Sequence, residues 1–308
     1  MGVTRLLWII AMTLLIVTAG MFVVSFYMYP IYGYPERALD TLREFLGMPI
    51  SDLCVMFHFE DFSGEESGTI IKDSSNHGND GILMDADHNN YDLDSPPIFG
   101  MERKAIIDDG ALVFDGVDDY VDISESPAYP GWLNPGKAIT IDLWIKLLSD
   151  PDCDNNPATN NWRYILSKGS DANMGKDGVY QLILEDDSTI TAKFMIEGVE
   201  RKIHSETYLD IGAKSHVAVT YENLTGKAQI FINGFLDARK TIVSGNISTN
   251  QENLRIGGWN FVDSDKDCPV GGAGVPHAVI DEVRIYNRAL SSREIMFHWQ
   301  AVYKYAPL

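Results

Sequence analysis

The feature that most constrains this chain is the pattern after Ile50, where short runs of β-forming residues alternate with clusters of Gly, Asn and Asp. Short apolar or alternating runs bounded by turn residues predict β-strands. So many runs in one stretch exceed a small immunoglobulin-like sandwich and predict an all-β fold, a two-sheet antiparallel jellyroll. The predicted strands are Leu53–Glu60, Ala111–Asp115, Tyr120–Ile123, Ala138–Leu147, Tyr164–Lys168, Val179–Glu185, Thr189–Ile196, Glu200–His204, Lys214–Tyr221, Ala228–Ile232, Asn253–Ile256 and Ala278–Tyr286.

Two local signals refine this pattern. Asn233 and Gly234 form a dipeptide that is typical of a tight hairpin turn. Ser291 and Glu294 have the spacing of a capping box, which predicts a short closing helix that runs to about Val302.

The amino-terminal run Leu6–Tyr29 contains no charged residue. At about 1.5 Å per residue, a helix of this length exceeds the roughly 30 Å hydrocarbon core of a bilayer, so the run predicts a transmembrane helix. Arg5 precedes it, and because positive residues favour the cytoplasmic side, we expect a single-pass cell-membrane protein with a large extracellular domain. The predicted regions are a cytoplasmic tip (1–5), a transmembrane anchor (6–29), a juxtamembrane amphipathic helix or stalk (30–50) and one jellyroll domain (51–308).

Other interpretations of the amino terminus stay open. Small residues at Val17–Ala19, before Gly20, fit a signal-peptidase site, although the apolar run continues well past it. A pilin-like segment, cleaved near Arg5, would instead pack into a filament and make self-assembly part of the function. The stretch Pro35–Gly47 has the proline, apolar spacing and glycine of a short helix, which would lie on the bilayer, pack on the domain or serve as a stalk.

The charge of the chain limits its partners. It has 44 acidic and 24 basic residues and a formal net charge of −20. Such a surface repels nucleic acid and anionic lipid and attracts divalent cations, so we expect no nucleic-acid partner.

Three cysteines occur, all after the apolar run. Cys54 lies in the apolar stretch LCVMF and is predicted to be buried. Cys153 and Cys268 lie in polar loops, and an exposed pair outside the cell suggests a disulfide, the alternative being two unpaired thiols. Asn223 and Asn246 begin glycosylation sequons, which matter only if the host glycosylates.

Seven motifs follow one another along the chain: KDSSNHGNDGIL (72–83), ALVFDGVDDYVDI (111–123), ITIDLWIK (139–146), ILSKG (165–169), HVAVTYENLTGKAQIFING (216–234), LRIGG (254–258) and IDEVRIYNRALSSREI (280–295). Their order resembles the laminin G-like, concanavalin A-like lectin/glucanase jellyroll superfamily from Asp52 to about His298. The resemblance implies two curved antiparallel sheets, a concave face that often binds glycans in relatives, and a calcium ion outside that groove.

The resemblance also implies a set of calcium ligands. In relatives, the ion connects the amino-terminal strand and the following loop to the aspartate that opens the last strand. Calcium takes about six to eight oxygens from carboxylates, amides and carbonyls. For Asp73, the alternative is an Asx-turn that needs no metal. The ligands implied in this sequence are Glu60 or Asp61, Asp73, Asn79 and Asp281.

An enzymatic role is disfavoured. Glucanases of this superfamily need two suitably placed carboxylates, and their usual Glu-x-Asp-x-x-Glu pattern does not occur in the sequence. Gly-x-Ser-x-Gly and His-Glu-x-x-His are also absent from it, and His216 falls where relatives carry a structural histidine.

We therefore expect a carbohydrate-binding or adhesion module with a glycan or a surface protein as partner. The alternative is a structural subunit of a filament, envelope or virion that contacts only protein. Large aromatic residues also dominate sandwich cores, so a core role for the candidate aromatics is the competing interpretation. The candidate glycan-binding residues, on or beside strands predicted to form the concave face, are Trp162, Tyr180, Arg201 and Trp259.

Overall fold

The computed structural model of this protein describes residues 52–59, 68–75, 77–85, 98–99, 110–116, 119–151, 162–169, 178–258 and 274–303. The predicted anchor, the predicted stalk and the Cys153–Cys268 pair all lie outside the described residues. In the part of the chain that is described, no helix combines the length and the apolar character that a membrane crossing requires.

The described strands form two antiparallel sheets, which confirms the all-β prediction. They are β1 (Leu53–Phe57), β2 (Ile70–Ile71), β3 (Gly81–Asp85), β4 (Ile98–Phe99), β5 (Leu112–Asp115), β6 (Asp119–Ile123), β7 (Ala138–Leu147), β8 (Arg163–Lys168), β9 (Tyr180–Leu184), β10 (Ile190–Ile196), β11 (Val199–His204), β12 (Lys214–Glu222), β13 (Lys227–Ile232), β14 (Phe235–Thr241), β15 (Leu254–Ile256) and β16 (His277–Tyr286). Sheet A has the order β14-β13-β12-β7-β16-β5-β4, with β1 also paired to β16, and sheet B has the order β11-β10-β9-β8-β15-β6-β3-β2.

Strand β7 shows why these sequences form strands. Ile139, Ile141 and Leu143 alternate with polar residues, and because successive side chains of a strand point to opposite faces, the three apolar side chains lie in the core between the sheets. They are fully buried, and burial of such a side chain stabilises the fold by about 1.5–3 kcal/mol relative to exposure. The bounds of β7 match the prediction.

Both local signals are confirmed. Asn233 and Gly234 have φ angles of 51° and 78° in the turn between β13 and β14. The helix α1 (Ser292–Tyr303) begins with the capping box, in which Ser291 N donates to Glu294 Oε2 and Glu294 N donates to Ser291 Oγ. Trp299 of α1 packs against the cluster of Ala111, Trp144 and Val279 on the outer face of sheet A, the face turned away from sheet B.

Four strands were not predicted, namely β2, β3, β4 and β14. Strand β14 is at the edge of sheet A and is mostly exposed, so its sequence FLDARKT has no buried face to impose an apolar alternation. Strands β2 and β4 contain two residues each, which is too short for any periodicity.

Candidate functional site

The outer face of sheet B, the face turned away from sheet A, carries polar side chains between apolar ones that face the core. In β10, Ala192 and Phe194 lie in the core, so Lys193 between them projects from the outer face. Residues paired across antiparallel strands share a face, and the register therefore repeats this polar position in neighbouring strands. The paired residues, here named the polar row, are Asp122 (β6), Arg255 (β15), Ser167 (β8), Gln181 (β9), Lys193 (β10) and Lys202 (β11).

Contacts within the polar row hold its side chains in place. Arg255 Nε lies 3.0 Å from Asp122 Oδ1, and Gln181 Nε2 donates to Ser167 Oγ at 3.1 Å. Gln181 is only 2% exposed. Because buried polar groups cost free energy unless they are hydrogen-bonded, a sheet face that served packing alone would not need such residues.

Trp162 adds an aromatic surface to this face. The ammonium of Lys193 lies 3.8 Å from the centroid of the Trp162 ring and 3.8 Å from Glu200 Oε2. The indole N–H of Trp162 is buried and has no hydrogen-bond partner among the described residues. An aromatic ring beside amide and hydroxyl groups is the combination that stacks on a sugar ring and orients its hydroxyls.

The structure places the four predicted glycan-binding residues in different environments. Trp162 lies on the outer face of sheet B through its contact with Lys193. Tyr180 is wrong as a glycan contact, because its ring is fully buried in the core and its hydroxyl donates to Leu133 O at 3.1 Å. Arg201 pairs with Phe194, a core residue, and therefore projects from the inner face at the edge strand β11, away from Trp162. Trp259 lies outside the described residues.

Asp73 and Asn79 hold together the turn that follows β2. Asp73 Oδ1 accepts from the amides of Met56 and Ser75, and Oδ2 accepts from the Ser75 hydroxyl and the amide of Asn79, at 2.7–3.0 Å. These four donors occupy the lone pairs of both oxygens, as in the Asx-turn alternative. Asn79 in turn donates to Cys54 O and accepts from the Ser126 amide.

Asp281 lies in sheet A. It is buried near the middle of β16, opposite Trp144, rather than at the opening of that strand. Strand β5 pairs with β16 up to Ile280 and β1 pairs with it from Val283, so Asp281 lies where the pairing changes and the strand bulges.

The calcium prediction as a whole stays a prediction. Among the described residues, no three His, Cys, Asp or Glu side chains are grouped so that they could hold a metal ion. Glu60 and Asp61 lie outside the described residues.

A second polar cluster lies beneath α1, on the outer face of sheet A. Asp142 is fully buried, and its Oδ2 lies 3.2 Å from His216 Nε2 and 2.9 Å from His298 Nδ1, while Arg284 Nη1 lies 3.5 Å from Oδ1. Burial opposes ionisation of Asp142, but the two imidazoles outweigh it and hold the pKa of the carboxyl well below its usual range. Because His298 belongs to α1, the cluster fastens the helix to the sheet.

The remaining predicted sites are at the surface or in the core. Asn223 Nδ2 donates to Asn246 Oδ1 at 2.8 Å, so the two sequon asparagines are neighbours. Glycosylation of either remains a prediction. Cys54 is free and buried, as predicted, and burial raises the pKa of its thiol.

The polar row was not predicted, although two of its residues stand out in the sequence. Gln181 and Lys193 interrupt the apolar stretches YQLIL and ITAKFMI. A polar residue inside an apolar strand is more informative than an exposed one, because it needs a partner.

Three comparisons place this geometry among known proteins. A family model of the concanavalin A-like lectin/glucanases superfamily matches residues 115–296. The comparison with curated proteins gives no match.

Similar solved structures include the binding domain of botulinum neurotoxin serotype G (15% identity, 80% of this chain, 50% of that chain, TM-score 0.54) and that of Paraclostridial Mosquitocidal Protein 1 (15%, 81%, 52%, TM-score 0.52). The receptor binding domain of botulinum neurotoxin C/D mosaic serotype is also similar (10%, 81%, 51%, TM-score 0.53). At these identities the likeness shows the fold, and this chain spans about half the length of those chains.

Proposed function

This chain belongs to the concanavalin A-like lectin/glucanases superfamily, and from that premise we propose that it is an extracellular glycan-binding domain whose ligand lies on the polar row. The observation that carries the proposal is the unpartnered indole N–H of Trp162, on the same face as the buried hydroxyl, amide and ammonium groups of Ser167, Gln181 and Lys193. The similar toxin domains are binding or receptor binding domains of their own proteins, which is in keeping with a binding role.

The charges of the row favour a ligand rich in hydroxyl groups. Arg255 is matched by Asp122, and Lys193 lies beside Glu200, so two of the cations of this face have an acidic neighbour. Gln181 and Ser167 are already bonded to each other, yet each keeps capacity to accept or donate a further hydrogen bond. A neutral sugar, with its apolar ring face and many hydroxyls, suits this arrangement.

The test is a glycan array probed with the full chain in detergent micelles. We expect selective binding to a subset of glycans. Trp162→Ala should weaken that binding about tenfold or more, because it removes the stacking surface. Gln181→Ala should weaken it about three- to tenfold, the equivalent of one hydrogen bond.

Tyr208→Ala is the matched control, since Tyr208 is an exposed aromatic residue (64%) that does not belong to the polar row. Melting curves of all variants show whether each has folded. The proposal fails if the folded full chain binds no glycan, an outcome that favours a protein-interaction role. It also fails if Trp162→Ala and Tyr208→Ala behave alike.

We further propose that the domain binds without cleaving. The support is the absence from the sequence of the glucanase carboxylate pattern, together with the engagement of Asp122 by Arg255 and Asn253. Incubation of the full chain with laminarin and other polysaccharides should release no reducing sugar above the background of a heat-denatured sample. Sugar release that depends on folded protein would contradict this.

The location at the cell surface is also a proposal. The uncharged run Leu6–Tyr29 supports retention in the membrane. With an epitope tag after Leu308, we expect the protein to resist carbonate extraction from membranes and the tag to be accessible to protease on intact cells. A soluble product that begins near Gly20 would show instead that the run is a signal peptide.

A further inference from the structure

A cleft of about 370 Å³ lies at the end of the domain where β7 begins and β16 ends. It is separate from the polar row. Its volume is at the lower end of the range of roughly 300–1,000 Å³ that small-molecule sites occupy. Residues that line it include Pro130, Trp132, Asn134, Pro135, Lys137 and Asn287.

The cleft combines an aromatic wall with free polar groups. Asn134 accepts from the Asn250 amide through Oδ1, but its Nδ2 has no partner among the described residues, and neither does the side-chain amide of Asn287. Lys137 is exposed and, in the same part of the chain, has no carboxylate within ion-pair distance.

The acidic residues of the same region are already engaged. Glu125 accepts from the amides of Gly131 and Leu133 at 2.7 and 3.0 Å. Glu222 accepts from the Thr225 hydroxyl. Both carboxylates keep their charge, but neither forms an ion pair with Lys137.

The Trp132 ring is held in place before any ligand arrives. Its centroid lies 3.7 Å from that of the His77 imidazole. His77 Nδ1 lies 3.2 Å from Ser75 Oγ, and Ser75 in turn donates to Asp73.

The loop that carries Trp132 is fastened along its length. Besides the two bonds to Glu125, Leu133 O accepts from the Tyr180 hydroxyl, Gly136 O accepts from the Ile247 amide and Lys137 O accepts from the Asn223 amide. Rigid binding groups lose little conformational entropy on association, so this loop is suited to recognition.

We infer that this cleft is a second ligand site, and that its ligand is a sugar that carries a carboxylate. Trp132 would stack on the sugar ring, the carboxamides of Asn134 and Asn287 would bond its hydroxyls, and Lys137 would pair with its carboxylate. None of these four residues belongs to the polar row.

The test uses the full chain in detergent micelles and two probes, D-glucuronate and D-glucose, measured by saturation-transfer NMR and by titration calorimetry. Glucuronate should bind more tightly than glucose. Lys137→Met should weaken glucuronate binding about two- to fivefold and leave glucose binding unchanged, as expected for one exposed ion pair. Trp132→Ala should weaken both about tenfold or more.

Two controls separate this site from others. Lys227→Met removes an exposed lysine near the same end of the domain that does not line the cleft, and should change nothing. Trp162→Ala should leave glucuronate binding intact. The cleft proposal can therefore hold even if the polar row binds no glycan. If Trp132→Ala fails to fold, Lys137→Met and Asn287→Ala still test whether glucuronate binds in the cleft.

The inference is overturned if the folded full chain shows no saturation transfer to glucuronate. It is also overturned if Lys137→Met binds glucuronate as the parent does, or if Trp162→Ala abolishes that binding.

Discussion

Replacement of Asp73 by asparagine distinguishes the two roles that its position in the sequence allows. In the structure, each oxygen of its carboxylate accepts two hydrogen bonds, from Met56 and Ser75 on one side and from Ser75 and Asn79 on the other. An asparagine keeps only one oxygen. Its NH₂ group must then face either the Met56 and Ser75 amides or the Ser75 hydroxyl and the Asn79 amide.

The loss can be worked out from these contacts. The Ser75 hydroxyl can rotate and accept instead, but a backbone N–H left facing the NH₂ group cannot, and a buried donor without a partner costs about 1–3 kcal/mol. The remaining bonds also lose the contribution of the charge, since hydrogen bonds to a charged group are roughly twice as strong. We expect Asp73→Asn to lower the free energy of unfolding by about 2–4 kcal/mol.

For a domain of this size, about 1 kcal/mol shifts Tm by roughly 2–4 °C, so the expected decrease is about 4–16 °C. Differential scanning calorimetry of the full chain in micelles, in millimolar calcium and in EDTA, measures it. Asp210→Asn is the control, because Asp210 is exposed and its side chain makes no hydrogen bond with described residues. It should change the stability by less than about 0.5 kcal/mol.

The two calcium conditions decide between the roles. If Asp73 only holds the turn, the loss is the same in calcium and in EDTA. A loss that occurs in calcium alone would show that Asp73 is a metal ligand. A variant as stable as the parent in both conditions would refute the hydrogen-bond reasoning itself.

Three further predictions follow from buried or strained groups. A Cβ at Gly257 would lie 1.9 Å from the Phe114 ring, whereas one at Gly198 meets nothing within 4 Å, and both residues have positive φ. In urea unfolding, Gly198→Ala should therefore cost about 1 kcal/mol and Gly257→Ala at least about 1–3 kcal/mol more, and equal losses would contradict the steric argument. Burial opposes ionisation of Glu294, but its hydrogen bonds with Arg288 and Ser291 lower its pKa to about 2, so its contribution to stability should persist above about pH 4.5 and disappear as the pH falls from there to 2. Acid titration of helicity in Glu294→Gln should lack this step. Burial lowers the pKa of Lys168 to about 8, so stability should rise between about pH 8 and 10.5, where the unfolded chain binds more protons, and Lys168→Met should remove that rise in pH-dependent melting.

Regular alternation is what made much of the fold predictable. In β7 and β12 the inward residues are apolar at every second position, and since one face of each strand meets the core, this pattern identifies both the strand and its orientation. The same rule would have placed Tyr180 correctly, because it shares a face with Leu182 and Leu184. Its aromatic ring suggested a ligand contact, but the period of two assigns it to the core.

The candidate site depends on strand order, which no local pattern contains. Asp122 and Arg255 are 133 residues apart and meet only because β15 lies between β6 and β8. Trp132 lies in a stretch with several prolines and glycines, SPAYPGWLNPG, which has no periodicity. The carboxylate of Glu125 and the imidazole of His77 make that stretch rigid, and neither contact follows from spacing.

The motif KDSSNHGNDGIL illustrates why a metal loop and a hydrogen-bonded turn look alike in sequence. Both place short acidic and amide side chains at intervals of a few residues, and they differ in what faces the oxygens. In this chain, backbone N–H groups and a hydroxyl face Asp73, so the negative charge is balanced by donors that the fold itself supplies. The same turn positions Ser75 and His77 beneath Trp132. The motif therefore supports the Trp132 side of the cleft through Ser75 and His77.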